Sequence, residues 1–273
     1  MNLFEILETR NLDPSKEFHR LATIFNKKEW NSLKNDDLSL KDVFDESFNN
    51  CSCRSTFLTI DDLLESLGID EEKRYCISWD VLYMYCEILR NVCNDALLLE
   101  IEVAEIERRL NMLMDNMNEI LEKTNHEWRQ IKEGYIIVDK NPATTEVIEC
   151  LEGKYADLAL SMIEYNRVLL KGNLQRKREI LVALADYIEP MYNDFKGTQY
   201  AVLCSDCRFL VNAIDIRHNN SGKGDLPEKA KSWTPQEKEE WYDKTYQVLL
   251  TMILTRKHMD VSKEIQDLKP NRN

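Results

Sequence analysis

The chain has 273 residues, 43% of them hydrophobic and 31% charged, with only 7 Gly and 6 Pro. That length and apolar share can build one large or two modest cores, and the shortage of turn formers argues against sandwiches and barrels and for long helices. The formal net charge is −13, and residues 1–140 alone hold 17 basic against 29 acidic side chains; a general nucleic-acid coat is excluded, while a focused phosphate site in the nearly neutral back half is not.

No run of about 18 uninterrupted apolar residues is present, so no membrane span is expected. MNLFEILETR carries acids and lacks a basic n-region, so it does not read as a signal peptide. The eight cysteines are then expected reduced, in a cytoplasm. Cys51 and Cys53 form CSC, and Cys204 and Cys207 form CxxC, two pairs that could meet around zinc. The surrounding AVLCSDCRFLVNAI reads instead as a buried helix in which Cys is a small core residue, and neither metal nor cofactor is expected.

Residues 1–75 read as short helices broken by polar loops: LFEILE, EFHRLATIF opened by Asp13 and Pro14, LKDVF, and IDDLLESLGI closed by Gly68. From Trp79 the pattern turns to long helix. Leu99, Val103, Ile106, Leu110, Leu113, Met117 and Ile120 recur at alternating spacings of four and three, a heptad seam. That seam suits an arm of a core hairpin or bundle, or a coiled coil between protomers. YIIVDKNP then interrupts the helices, and its β-branched run suits a short strand or crossover. Asn141 as cap with Pro142 at the first helical position is a strong start signal. The expected division is a helical, acidic front region over 1–134 and a helical bundle over 135–273.

In the back half four helices are expected. The first spans about 142–170, with Val147, Leu151, Tyr155, Leu158, Met162, Tyr165 and Leu169 on one face, and Gly172 closes it. The second starts at Leu174 and is limited by Pro190. Its Arg176, Lys177 and Arg178 read as a solvated face. The third spans about 198–217. The fourth opens at TPQE, with Thr234 and Glu237 as a capping box. Between the last two, HNNSGKGDLPEKAKSW reads as a long structureless loop, and such loops are often functional.

The third helix carries the chemistry. Arg208, Asn212 and Asp215 are spaced to share a face, and Arg217 and His218 follow at the exit. A guanidinium can grip phosphate with two donors, and an imidazole can move a proton near neutral pH. Arg217 with His218 is thus a minimal pair for metal-independent RNA cleavage; Arg208, Asn212, Asn219, Asn220 and Lys223 supply contacts to phosphate or a base edge. The same Arg217 and His218 would also complement a helix dipole with no further role.

From about Tyr135 to His258, the text from Asn212 through Asn220, the loop and EEWYDKTYQVLL resembles the HEPN domains of abortive-infection and toxin systems. That resemblance implies an all-α bundle of four or five helices and a motif of Arg, a polar residue and, five to seven positions after the Arg, a His. Arg217 matches the Arg and His218 the polar position. It implies metal-independent endoribonuclease activity in a dimer. Positions 222–224 are Gly, Lys and Gly where the second His should stand. Either His218 serves as the base, or the site is a non-catalytic module that binds RNA, nucleotide or a partner. The acidic front half is the expected partner-facing region.

Overall fold

The computed structural model describes residues 12–31, 36–69, 76–96, 104–151, 155–217 and 227–269. The described chain is predominantly helical, as the composition requires, and forms two compact units, Met1–Lys140 and Asn141–Asn273. The division falls six residues beyond the expected 134/135, because the YIIVD strand belongs to the first unit.

The first unit contains α1 (Pro14–Asn26), the short strands β1 (Glu29–Asn31) and β2 (Asp36–Leu38), α2 (Leu40–Ser47), α3 (Ile60–Ser66), α4 (Trp79–Ala96), α5 (Ala104–Lys123), β3 (His126–Ile131) and β4 (Gly134–Asp139). The seam residues Ile106, Leu110, Leu113, Met117 and Ile120 are all buried inside the unit, where α5 packs on α1 and β3. The heptad therefore faces its own core and leaves no stripe on these residues for a coiled coil between protomers. Leu99 and Val103 lie outside the described residues, as does the expected LFEILE helix.

β4 pairs antiparallel with β3, from His126 opposite Asp139 to Ile131 opposite Gly134. The hairpin is fixed to α4 by polar anchors. Glu87 accepts from the Ile137 N–H at 2.8 Å, and Asn91 bonds both the N–H and the carbonyl of Tyr135. A Cβ at Gly134 would stand 2.2 Å from the Asn91 Oδ1, and its φ is +141°, so close approach and backbone both require glycine.

The second unit contains α6 (Pro142–Cys150), α7 (Ala156–Tyr165), α8 (Leu174–Ile188), α9 (Ala201–Ala213) and the 34-residue α10 (Pro235–Leu268), with 3₁₀ turns at Val168–Leu170, Glu189–Phe195 and Glu228–Ser232. The expected helix over 142–170 is instead two helices and a turn, since the backbone turns extended at Leu151. The loop before α10 is not wholly structureless, because Glu228–Ser232 coil into a 3₁₀ turn. The caps at Asn141 and at Thr234, with Glu237 completing the box, are present. α10 packs against α8, α6 and α9, and the core between them includes Leu181, Leu184, Ile188, Val211, Leu249 and Met252.

A polar cluster lies within this core. The Asn166 amide donates to Thr144 Oγ1, the Met162 carbonyl and Tyr246 OH at 2.9–3.1 Å. Tyr165 and Tyr246 stack at 4.0 Å, and Tyr165 OH donates to Asp243. Lys177 reaches into the same region and binds Glu239 and Asp243, each at 2.8 Å. The basic run is thus no solvated face: Lys177 is buried, Arg176 grips Glu164 with two nitrogens, and Arg178 donates to the Asp215 carbonyl.

Candidate functional site

α9 forms because Cys204, Cys207, Leu210 and Val211 line one stripe that the bundle buries. The helix ends at Ala213, four residues before Arg217. The chain turns through Asp215 in the left-handed region (φ +64°), a conformation that Asp tolerates better than most residues. The Arg217 N–H returns to the Val211 carbonyl at 3.1 Å. The Asp215 carboxylate accepts from Lys238 at 2.9 Å, and its carbonyl accepts from Arg178 and Tyr242. Two other helices therefore pin this turn. Arg208 and Asn212 share the outer face of α9 as expected, one turn apart and both exposed; Asp215 does not join them, because it has left the helix and is buried.

Arg217 is held by acids. Its Nη2 bonds Asp186 at 2.6 Å and Glu189 at 2.9 Å, and the side chain is only 16% exposed. These two carboxylates already occupy the guanidinium and compete with any phosphate for it. The Arg217 Nε is buried and has no hydrogen-bond partner among the described residues. The Arg217 hydrogen bond holds the Glu189 carboxyl below its ordinary value of 4.5. A carboxylate with a depressed pKa contributes stability above its unfolded pKa and loses it as pH falls through the folded one. The difference in melting midpoint between the parent and Arg217→Gln should therefore be present at neutral pH and narrow on acidification below about 4.5, which parallel thermal melts across pH would detect.

His218, Asn219, Asn220 and Lys223 lie outside the described residues. Cys204 and Cys207 face the core; burial raises the Cys207 thiol to about 11, and Tyr192 OH lies 3.8 Å from it. Cys51 and Cys53 lie in the first unit with their sulfurs 2.9 Å apart. Among the described residues, no group of three or more His, Cys, Asp or Glu is placed to hold a metal.

The structure adds residues that the sequence reading overlooked. Phe209, 57% exposed, stands beside Arg208 on the outer face of α9. It sits two positions from both Cys207 and Val211, so the helical period already placed it away from the buried stripe. Among the described residues Arg208 forms no ion pair; its guanidinium lies 5.2 Å from the centre of the Tyr192 ring. No model of a known protein family matches this chain, and neither a curated protein nor a solved structure does.

Proposed function

We propose that the second unit is a HEPN-like, non-catalytic module that binds RNA or nucleotide and regulates a response to phage infection. The observation that carries this reading is the division of labour between two arginines. Arg217 is engaged by Asp186 and Glu189 and braces a turn, whereas Arg208 stands unbridged beside exposed Phe209 and Asn212. A cation, an aromatic face and an amide on one helix surface suit a single strand, with the phosphate on the guanidinium and a base on the ring. Eight cysteines, none of them joined in a disulfide among the described residues, fit work in a reducing cytoplasm. The strongly acidic first unit repels nucleic acid and is the side offered to a protein partner, and the module works as a homodimer.

Fluorescence polarisation with a labelled single-stranded RNA tests this. Stacking on one aromatic contributes about 1–3 kcal/mol, so Phe209→Ser should weaken binding about 5- to 150-fold. Arg217→Gln should weaken it far less. Equal affinity for parent and Phe209→Ser removes the proposed surface.

A second reading keeps the chemistry. Arg217 and His218 would form a metal-independent endoribonuclease, with the two protomers' pairs in one groove. The Arg217 Nε, which has no partner among the described residues, favours it, since an unsatisfied buried donor makes the present rotamer costly to hold. Cleavage of RNA in the presence of chelator, abolished by Arg217→Ala and by His218→Gln in variants that still fold, would establish this reading over the first.

A further inference from the structure

Beside the outer face of α9 lies a cavity of about 320 Å³, with Tyr192 and Phe195 from the 3₁₀ turn on one side and the first turns of α9 on the other. Its volume is at the small end of ligand sites, enough for a compact organic molecule. Lys196, Ser205 and Arg208 bring two cations and a hydroxyl to its lining, and no carboxylate lines it. In a protein of net charge −13 this is a notable exclusion. Two acids nearby are engaged elsewhere, Asp194 by Arg256 at 2.6 Å and Glu189 by Arg217 at 2.9 Å, and Asp206 of α9 is not part of the lining. Among the described residues neither Lys196 nor Arg208 is drawn into an ion pair.

The two cations act on the same place. Burial raises the Cys204 thiol, and Arg208 and Lys196 both work against that rise, so both cations lie near this one residue of the lining. The remaining lining is apolar and aromatic, with Arg208 packed on the Tyr192 face.

We infer that this cavity is a binding site for a compact phosphomonoester with an apolar or aromatic body, its dianion between Lys196, Arg208 and the Ser205 hydroxyl and its body against Tyr192 and Ala201. Two cations and a hydroxyl match a dianion better than a monocarboxylate, and the apolar wall selects against free phosphate. The site has Arg208 in common with the RNA surface proposed above but does not depend on that reading, because Lys196 and the cavity wall belong to neither Phe209 nor Asn212.

Isothermal titration of the full chain with phenyl phosphate tests the site without RNA. The expected result is saturable one-site binding with a Kd of about 1 mM or tighter, and inorganic phosphate weaker by about tenfold. Lys196→Gln and Arg208→Gln, both at exposed positions, should each weaken binding at least about fivefold. Ala201→Leu, which adds bulk to the cavity lining, should remove it. Lys263→Gln, on the exposed far end of α10, controls for the loss of one positive charge and should bind like the parent. Thermal melts without ligand establish that the variants are folded. No saturation up to about 10 mM phenyl phosphate overturns the inference. So does binding that Lys196→Gln, Arg208→Gln and Ala201→Leu all leave at the parental level. Phe209→Ser, which decides the RNA reading, should leave phenyl phosphate binding unchanged, so either proposal can fail alone.

Discussion

Lys177→Ala is expected to destabilise the second unit by about 3 kcal/mol, the lower end of the cost of breaking a buried ion pair. The lower end applies because Asp243 keeps 49% of its side chain in solvent, while Lys177 and Glu239 are largely enclosed. Removal of the ammonium leaves two carboxylates of α10, Glu239 and Asp243 one turn apart, without the cation that α8 places between them. It also removes the cation 5.2 Å from the centre of the Tyr165 ring. The loss should depend on pH with a definite sign. Burial pushes the Glu239 carboxyl up, but the Lys177 and Gly172 hydrogen bonds outweigh it and hold the group below its ordinary value of 4.5. That contribution is present above the unfolded pKa and disappears as pH falls through the folded one. Urea titrations of parent and variant should therefore differ fully at pH 7 and converge as pH drops below about 4.5. A constant difference across that range would mean that Lys177 acts through its methylene packing alone.

Leu184→Ala should cost about 2–5 kcal/mol through lost burial and the cavity left behind. Leu184 is fully buried in the cluster that joins α8 to Leu249, Leu250 and Met252 of α10. The side chains around it come from regular helices, which collapse poorly into a new void, so the upper half of that range is expected. Hydrogen exchange should show faster exchange across α8 and the first half of α10. Leu184→Met conserves volume and should cost less than about 1.5 kcal/mol. Similar losses in both variants would place the effect on shape at that position and not on the cavity.

What the sequence discloses here follows from how local each feature is. The Thr234 box and the Asn141–Pro142 start are read from four adjacent residues, and both caps stand where that chemistry puts them. The burial of Leu110, Leu113 and Met117 follows from period alone. Lys177 is different. It looks like the middle of a solvated basic run because its partners, Glu239 and Asp243, come from a helix more than 60 residues later. The β3 strand is hidden for a similar reason, since HEWRQI has no alternating apolar face and becomes a strand by pairing with YIIVD. α9 ends early because Asp215 is captured by Lys238, Arg178 and Tyr242, and no local pattern records those contacts. The candidate site divides along the same line. Arg208 and Asn212 were legible as one helix face, whereas the engagement of Arg217 depends on Asp186 and Glu189, about one helix upstream.

The central claim is that the second unit holds RNA without cutting it, and one assay addresses it most directly. End-labelled single-stranded RNA is titrated with the purified chain in EDTA, and each sample is read first by polarisation and then on a denaturing gel. The account predicts saturable binding that Phe209→Ser weakens, with the RNA recovered at full length. Fragments made by the parent and not by Arg217→Ala, or no saturable binding at all, would contradict it.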